Sequence, residues 1–573
     1  MQLRARRALP VDLWALVLTL AFTWPLWQSG GYPLARDLVF TPAIPLRPET
    51  LGLGTAAPRA VPLDAVVAIL GFAVDGAVLA RVAIAGALVL AGMGMHRLIP
   101  RADWIARATV AGFAIWNPYV AERLALGQWA LLLAYAALPW LVLGMTRGGA
   151  AAIVAPLALA SLTPTGGLLA LATVIAMALP AAHEGRARLR AVGLAILAQL
   201  PWIVPSLLSS AATTSDAAGL SAFAARSEFG GSAYLSLWGF GGIWDAQSVP
   251  ASRSGWLGVL SALVGLVGVL WFAKRGARMS LVAVRQCPAL VVLALGSWLV
   301  AGLGSVSFLQ PLLVRLIDTV PGFGLLRDGQ KWLAPLVLVG VLGWGLFIDS
   351  VLAYVRPRAA AWVPLLAALA IMGPLVLLPD ATVVVHRTLA PVRYPAEVAA
   401  ISAAVRDSDG AVAVGPWRLY RRLGWAGPAG VYDPASRLLD ARVVTDDRLL
   451  VGGTSIAGED PYAAAVGQAL AAPSPHRPAD LSRLGVRWVL VHRDGNDAEL
   501  LRNELVAEGG RVVVGGRWLE LIEVSSHPAA APAPSSAEVA AIAGLDLAVA
   551  LLLVGTWLAG RFPRRRSADI PDR

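Results

Sequence analysis

Residues 129–146 have the sequence WALLLAYAALPWLVLGMT, which contains no charged side chain. A helix needs about 20 mostly apolar residues to cross the hydrocarbon core of a bilayer, so this segment is close to the required length. Similar segments recur along the whole chain. They are residues 11–29, 78–99, 104–118, 150–163, 165–181, 191–210, 255–273, 286–304, 331–354, 359–379 and 538–560. The sequence therefore predicts a polytopic α-helical membrane protein with about 12 transmembrane helices.

The composition of the chain agrees with a membrane protein. Of its 573 residues, 57% are hydrophobic and 14% are charged, and the mean hydropathy is +0.67. Soluble domains carry about 25% charged residues, so most of this apolar surface needs a bilayer. This excludes a soluble enzyme, a disordered protein and a nucleic-acid binder as descriptions of the whole chain, despite the net charge of +11. The single Cys287 excludes an intrachain disulfide, and the histidines have no metal-ligand spacing, so no metal or cofactor is predicted.

The arginines indicate how the chain crosses the membrane. Cytoplasmic loops carry an excess of Lys and Arg, and Arg4, Arg6 and Arg7 precede the first span. With strict alternation of the spans, the other basic clusters fall on the same side. These clusters are Arg97 with Arg101; Arg147; Arg186 with Arg188 and Arg190; Lys274 with Arg275, Arg278 and Arg285; Arg356 with Arg358; and Arg561 with Arg564, Arg565 and Arg566. We therefore predict a multi-pass protein of the cytoplasmic (plasma) membrane, with both termini in the cytoplasm and a basic cytoplasmic tail at residues 561–573.

Two details of this topology concern individual segments. The first span is not followed by a small-residue cleavage site, so we expect an uncleaved anchor. Residues 150–163 and 165–181 are short and are joined at Pro164. They either cross the membrane twice or form a re-entrant hairpin, and removing both preserves the alternation of the other spans.

The polar part of the chain is concentrated near its C-terminal end. Residues 380–528 hold half of the acidic residues and are mildly acidic overall. Strand-like runs alternate here with helical spacing, which predicts a small α/β extracytoplasmic domain before the last helix. The predicted strands are 411–414, 486–491, 511–514 and 518–524, and the predicted helices are 395–405 and 496–508. Residues 1–379 then form a transmembrane domain of about 11 helices, 529–537 a linker and 538–560 the final span.

The first outer loop carries the strongest candidate for acid–base chemistry. Its sequence from Tyr32 to Pro42 is YPLARDLVFTP, so Asp37 is the first outward carboxylate and Arg36 is its neighbour. A carboxylate next to the membrane can accept a proton from a sugar hydroxyl. The alternative is a capping or salt-bridged aspartate in an irregular loop.

Two further outer loops carry charged side chains between spans. The loop at residues 117–128 contains Glu122 and Arg123, and the one at 321–332 places Arg327, Asp328 and Lys331 before a helix. Cations at a helix start favour anion binding, because free N–H groups and the helix dipole add to their charge, and a lipid-linked phosphate has that chemistry. The alternative is a membrane-interface anchor made of Lys, Arg and Trp.

Aromatic residues interleave with arginines inside the predicted outer domain. Residues 417–425 have the sequence WRLYRRLGW, in which Trp417, Tyr420 and Trp425 are the aromatic members. Such rings stack on sugar faces, and guanidinium groups hold phosphates or hydroxyls. The alternatives are a surface that rests on lipid headgroups, or an aromatic core with snorkelling arginines. Loop 211–254 is rich in Gly and aromatic residues, and is either a mobile lid or an interfacial aromatic belt.

These features together resemble the GT-C superfamily of integral-membrane glycosyltransferases. Residues 117–129, NPYVAERLALGQW, and 326–332, LRDGQKW, look more narrowly like actinobacterial membrane proteins of the arabinofuranosyltransferase type, which act on envelope glycans outside the cell. The resemblance covers roughly residues 1–380. It implies a polyprenyl-phosphate sugar donor and a catalytic base at Asp37, although Arg36 stands where the common paired-acid form has a second acid. It assigns no role to Glu122 or Lys331.

The resemblance and the residues lead to one functional prediction. The protein is a membrane glycosyltransferase, of arabinofuranosyl or mannosyl units, that uses a polyprenyl-phosphate sugar on the outer side of the membrane for cell-envelope glycan or glycolipid assembly. Asp37 is the predicted base, and Arg327, Lys331 and Arg123 bind the donor phosphate. The predicted substrate-binding residues are Arg36, Tyr119, Glu122, Gln128, Asp328, Trp417, Tyr420 and Trp425.

Two other functions remain open from the sequence. A flippase or other transporter of lipid-linked sugars requires a polar cavity near the bilayer midplane. A non-catalytic scaffold of envelope assembly tolerates substitution at both Asp37 and Lys331. A transferase instead requires Asp37, Arg327 and Lys331 to converge on one outward cavity that is open sideways to lipid.

Overall fold

The computed structural model describes residues 2–28, 30–147, 150–180, 185–209, 211, 215–472 and 476–561. Its first part is almost entirely helical. The helices are α1 Gln2–Phe22, α2 Pro25–Gln28, α3 Leu63–Gly71, α4 Gly76–Leu98, α5 Trp104–Ile115, α6 Pro118–Ala125, α7 Trp129–Thr146, α8 Ala150–Ala160, α9 Pro164–Ala178, α10 Gly185–Leu197 and α11 Leu200–Leu208. Two short strands, β1 Tyr32–Ala35 and β2 Leu38–Val39, lie in the first loop.

The second helical part runs to residue 389. Its helices are α12 Ala218–Ala222, α13 Ala233–Trp238, α14 Trp256–Met279, α15 Gln286–Gly302, α16 Gln310–Thr319, α17 Ala334–Val355, α18 Val363–Leu377 and α19 Ala381–Leu389. Single 3-10 turns lie at Pro48–Leu51, Ala246–Ser248, Ala251–Ser254, Leu303–Ser305, Ser307–Leu309, Phe323–Leu326, Gly329–Leu333 and Ala360–Trp362. A large apolar core joins most of these helices.

Eight helices of the described chain are long and apolar enough to cross a membrane. They are Gly76–Leu98, Trp129–Thr146, Gly185–Leu208, Trp256–Met279, Gln286–Ser305, Gly329–Val355, Ala360–Leu377 and Ser536–Arg561. The protein is therefore a multi-pass membrane protein, but the predicted number of about 12 spans is not confirmed. The apolar helices at Ala8–Phe22, Ala150–Ala160 and Pro164–Ala178 are shorter. An 11-residue helix such as Ala150–Ala160 covers only about 16 Å at 1.5 Å per residue, about half of a bilayer core.

The predicted span 104–118 is also shorter in the structure. Helix α5 ends at Ile115, and Asn117 begins a new helix by accepting a hydrogen bond from Val120 N. Asn is a preferred N-cap residue and Pro118 is favoured at the first helical position, so the pair starts α6. The predicted basic tail lies outside the described residues except for Arg561.

Helices α14 and α17 approach each other through glycines. A Cβ atom built on Gly343 would lie 1.7 Å from the carbonyl oxygen of Gly268, and one on Gly268 would lie 2.0 Å from that of Gly340. Small residues let the backbones of membrane helices approach closely. The α14–α17 contact also supports the loop before α14, because Phe240 of that loop packs against Gly340.

This contact gives the first testable prediction. Gly343→Ala should destabilise the protein by about 1–3 kcal/mol, because the added methyl group collides with backbone atoms that cannot rotate away. Thermal unfolding of the purified protein in detergent measures the loss. Gly296→Ala in α15 is the matched control, since nothing lies within 4 Å of its Cβ position. Equal stabilities of the two variants would show that the close approach is absent.

The strand-containing region lies between residues 391 and 523. Its strands are β3 Pro391–Val392, β4 Ala411–Gly415, β5 Tyr420–Arg421, β6 Val431–Tyr432, β7 Val443–Val444, β8 Leu449–Val451, β9 Thr454–Ile456, β10 Val486–His492, β11 Arg511–Val514 and β12 Leu519–Glu523. Its helices are α20 Glu397–Val405, α21 Ala435–Leu438, α22 Pro461–Ala471, α23 Arg477–Arg483 and α24 Asn496–Ala507, and α25 Ser536–Arg561 follows. The strands predicted at β4, β10, β11 and β12 and the helices predicted at α20 and α24 are confirmed.

Five of these strands form a mixed sheet in the order β11-β12-β10-β4-β7. β4 pairs in parallel with β10 and β7, whereas β12 is antiparallel to both of its neighbours. β4 and β10 are almost wholly buried because helices cover both faces of the sheet, which explains their continuous apolar sequences.

The first loop is built into the strand-containing region. β1 pairs with β3 in a small sheet, and the backbone of Arg36 bonds Gly430 and Tyr432. Arg437 donates to both oxygens of Asp64, at 2.9 and 3.1 Å. These contacts fix the first loop to the strand-containing region. We call the end of the helical bundle that contacts residues 391–523 the strand-side end.

Candidate functional site

Asp37 lies in the tight turn between β1 and β2. Arg36 before it has a φ of 54°, and the Asp37 amide donates to Leu126 O at 3.2 Å. Gly127 permits this approach, because its φ is +87° and a Cβ there would lie 2.4 Å from Leu38 N. The loop at 117–128 therefore holds the backbone of Asp37 in place at the strand-side end.

Two donors hold the half-buried carboxylate of Asp37. Tyr420 Oη donates to Oδ1, and Gln128 Nε2 donates to Oδ2 at 3.2 Å. Burial and the nearby carboxylate raise the pKa of Tyr420 well above its ordinary value, so its hydroxyl stays protonated and remains a donor. Each carboxylate oxygen has two lone pairs, so Asp37 keeps acceptor capacity for a further hydroxyl.

A buried ion pair fixes the orientation of Gln128. Arg123 Nη1 donates to Gln128 Oε1 at 2.6 Å, which turns the amide nitrogen toward Asp37. The same guanidinium donates to both oxygens of Asp328, at 2.7 and 2.9 Å, and through Nε to Gln330 Oε1 at 2.6 Å. The Arg123 side chain is fully buried. Each of its three nitrogens already donates to a protein acceptor, so Arg123 orients other residues and does not itself face a ligand.

Lys331 completes this chain of polar contacts. It lies in the 3-10 turn Gly329–Leu333 before α17, and its carbonyl accepts a hydrogen bond from Tyr119 Oη at 3.0 Å. Its Nζ lies 3.7 Å from Asp328 Oδ2, beyond hydrogen-bond distance, and the side chain is 30% exposed. Burial acts to raise the pKa of Asp328, but Arg123 and Lys331 outweigh it and lower that pKa. Lys331 is thus a cation with an ionised neighbour and remaining access to solvent.

Arg327 points away from this chain toward the strand-containing region. Its Nη2 donates to Glu459 Oε1 at 3.1 Å. Glu459 also accepts from Ser215 at 2.8 Å and from Arg59 at 3.1 Å. Neither Arg59 nor Glu459 was predicted as a site residue, because about 400 positions separate the two in the sequence. Arg327 and Lys331, which we expected to act together, therefore have different partners.

Arg36 is paired on the side of the turn that faces loop 211–254. Its Nη1 donates to Asp245 Oδ2 at 2.6 Å and its Nη2 to Gln247 Oε1 at 3.0 Å. This ion pair attaches the loop to the turn that carries Asp37. The aromatic and glycine-rich loop thus contacts the candidate site directly.

The three predicted aromatic residues have different surroundings. Tyr420 reaches Asp37 with its hydroxyl group. Trp417 is partly buried and packs against Gly467 of α22, beside the core of the strand-containing region. Trp425 packs on Tyr394, with ring centroids 5.3 Å apart, and its Nε1 is buried. Of the three, Tyr420 is the one that the structure brings to Asp37.

A small apolar groove adjoins the start of α6. Its lining includes Phe113, Trp116, Pro118, Phe240, Pro374 and Leu378. The groove therefore lies among α5, α14 and α18, beside the loop that carries Arg123. Among the described residues, no group of three or more His, Cys, Asp or Glu side chains is placed to hold a metal ion.

The fold and the site define a polytopic α-helical membrane protein in which a loop carboxylate is linked to a buried ion pair and an accessible lysine. The same fold occurs in a cryo-EM structure of arabinofuranosyltransferase AftD from mycobacteria, with a TM-score of 0.55 and 17% identity over 91% of this chain and 40% of that chain. A structure of a mutant of that protein matches with a TM-score of 0.51 and 16% identity, over 91% and 42% of the two chains. The chain thus spans about two fifths of the AftD length.

These comparisons confirm the resemblance to arabinofuranosyltransferase-type membrane proteins at the level of the fold. No protein-family model and no curated protein matches the chain. Because the identity is low, roles of individual residues depend on the geometry described above.

Proposed function

We propose that the protein is a membrane glycosyltransferase that takes its sugar from a polyprenyl-phosphate donor and acts in assembly of a cell-envelope glycan or glycolipid. The observation that carries this proposal is the polar chain from Asp37 through Gln128, Arg123 and Asp328 to Lys331. These contacts connect a base, Asp37, to an accessible cation, Lys331, in a fold that is shared with an arabinofuranosyltransferase. The transferred sugar is an arabinofuranosyl or a mannosyl unit.

In the proposed reaction, Asp37 takes the proton of an acceptor hydroxyl. The hydroxyl oxygen forms a bond to the anomeric carbon of the donor sugar, and the bond from that carbon to the phosphate oxygen breaks. Tyr420 and Gln128 hold the Asp37 carboxylate in a fixed orientation, which lowers the entropic cost of reaching the transition state. The electron pair leaves with the polyprenyl phosphate.

Lys331 is the proposed group that stabilises charge on the departing phosphate. The Lys331 side chain is 30% exposed, whereas each nitrogen of the buried Arg123 already donates to Asp328, Gln330 or Gln128. Arg123 is therefore proposed as a positioning residue, and Arg327 as a more distant cation that is paired with Glu459.

The proposed orientation follows from the positions of the arginines in the sequence. The strand-side end faces outward, residues 380–528 are extracytoplasmic, and both termini lie in the cytoplasm. The strand-containing region would then hold the acceptor glycan or a partner protein beside Asp37. The ion pair of Arg437 with Asp64 supports this role, since it fixes the region to the loop that carries the base.

The function is tested by incubating the reconstituted full-length protein with polyprenyl-phosphate arabinofuranose or polyprenyl-phosphate mannose and an acceptor glycan. We expect a new glycosidic bond in the glycan products with one of the two donors. Movement of the donor across the liposome membrane without bond formation would instead establish a transporter. Neither transfer nor movement with either donor would favour a scaffold.

The two lysines of the chain allow a matched test of the phosphate site. Lys331→Ala should lower kcat/KM for the donor by about 10- to 100-fold, because a hydrogen bond to a charged group contributes about 1.5–3 kcal/mol. Lys331→Arg keeps the charge and should retain most of the activity. Lys274, which lies over the ring of Trp271, is the control, and Lys274→Ala should have no effect. Equal kinetics of the Lys331→Ala and Lys274→Ala proteins would remove Lys331 from the site.

A further inference from the structure

Two glutamates meet in the interior beside the proposed site. Glu122 in α6 is fully buried, and the Glu228 side chain is 2% exposed. Both Oε1 atoms converge on Gly241, where a built Cβ would lie 2.4 Å from that of Glu228 and 2.8 Å from that of Glu122. Two carboxyl groups so close cannot both be ionised without a large cost.

The remaining contacts show how charge is balanced around the pair. Arg253, which is fully buried, donates through Nε to Glu228 Oε2 at 2.7 Å. Glu122 Oε2 accepts from Gln330 Nε2 at 3.0 Å and from Ile243 N at 3.3 Å. The charge of Arg123, on the same helix as Glu122, is matched by Asp328. One guanidinium therefore faces two carboxyl groups, and a single proton makes the cluster neutral.

The hydrogen-bond pattern indicates where that proton lies. Glu228 Oε1 accepts from Gly242 N and its Oε2 from Arg253, so both of its oxygens act as acceptors. Glu122 Oε1 accepts no hydrogen bond within the described part of the chain. This oxygen is the one that can carry a hydrogen and donate it to Glu228. Burial and Glu228 together raise the pKa of Glu122 well above its ordinary value.

We propose that Glu122 and Glu228 share one proton. They act as positioning residues that hold loop 226–243 against the polar contacts of the proposed transferase site. Gln330 connects the glutamate pair to that site, because its amide donates to Glu122 and accepts from Arg123. Loss of the proton places two negative charges against the turn 238–242, in which Phe240 has a strained φ of 66°. The loop and Gln330 then lose their fixed position.

The sign of the pH dependence follows from the raised pKa of Glu122. Below the ordinary pKa of a glutamate the carboxyl is protonated in the folded and unfolded states, and the stability from the shared proton is fully present. As pH rises, the unfolded chain ionises first, so stability falls until the folded pair also loses its proton. Glu122→Gln keeps an N–H donor toward Glu228 and removes this titration.

The test compares thermal unfolding of the full-length wild type and Glu122→Gln proteins from about pH 5 to pH 9. We expect the wild type to lose stability with rising pH and the Glu122→Gln curve to be flatter, so that the variant gains relative to wild type at high pH. Infrared difference spectra at neutral pH should show a protonated carboxyl in the wild type that Glu122→Gln lacks. Absence of that band, or a constant stability difference at every pH, would overturn the proposal.

Glu459→Gln is the matched control for this test. Glu459 is also buried, but Arg59, Ser215 and Arg327 lower its pKa against the effect of burial. Its contribution to stability is present above the ordinary glutamate pKa, so Glu459→Gln should destabilise most at neutral and high pH.

The positioning role of Glu122 rests on the proposed function and has its own readout. Glu122→Gln should move the alkaline limb of the pH profile of the transfer rate upward by about one pH unit or more. The stability and infrared results remain informative even if no transfer occurs, so the two proposals can fail separately.

Discussion

Replacement of Asp37 by asparagine should reduce sugar transfer by about 10²- to 10⁴-fold, the usual contribution of a positioned general base. Asparagine has nearly the same shape, and it can still accept a hydrogen bond from Tyr420. It cannot take a proton from the acceptor hydroxyl. We therefore expect folding and membrane insertion to survive, and the loss to appear in kcat. Initial rates of glycan product formation at saturating donor measure the effect.

The control for this substitution is a carboxylate in the same loop. Glu49 has a 41% exposed side chain and contacts Arg47, so Glu49→Gln removes a negative charge without touching Asp37. Its transfer rate should equal that of the wild type. Tyr420→Phe removes one donor to Asp37 but keeps the base, so its loss should be smaller than that of Asp37→Asn. An Asp37→Asn protein with wild-type rates would exclude Asp37 as the base.

The second large effect is expected at the buried ion pair. Asp328→Asn leaves the fully buried Arg123 guanidinium without its anion, which should destabilise the protein by about 3–5 kcal/mol. The pKa of Asp328 is lowered in the folded state, so its contribution is present above the ordinary pKa and is lost as pH falls through the folded value. Denaturant unfolding in detergent at neutral and at acidic pH measures both the loss and its decline in acid.

The double variant Arg123→Met with Asp328→Leu separates stability from function. Apolar replacement of both members of a buried ion pair is often neutral or stabilising. The double variant should therefore recover much of the stability that Asp328→Asn loses, but not transfer, because Gln128 loses the donor that orients it. Asp440→Asn is the control, since its contact with Arg47 is exposed and contributes at most about 1 kcal/mol. A loss as small as that of Asp440→Asn would mean that Asp328 and Arg123 do not form a buried pair.

The sequence predicted the membrane character and most long helices well, because a bilayer demands long apolar runs. The predicted number of about 12 spans is not confirmed, because local capping ends some helices early. Asn117 and Pro118 start a new helix at the boundary of a predicted span, and the helices on either side of Pro164 are short. The central strands β4 and β10 were predictable because helices bury both of their faces.

The candidate site was predicted only in part. Asp37 and Lys331 carry chemistry that their residue types suggest, but their connection depends on contacts across more than 200 positions, such as Arg123 with Asp328. A sequence does not reveal that the charge of Arg123 is already matched, or that Arg327 faces Glu459. Gln330 lies in the segment LRDGQKW but carries no acid–base or ionic chemistry of its own, and Glu228 lies in no motif, so both become informative only when their neighbours are known.

A structure of the Asp37→Asn protein with a bound polyprenyl-phosphate sugar tests the central claim most directly, because the inactive variant should trap the intact donor. We expect the donor phosphate within hydrogen-bond distance of Lys331 Nζ and the sugar beside residue 37. A phosphate bound elsewhere, or a sugar remote from residue 37, would contradict a shared site for the base and the cation.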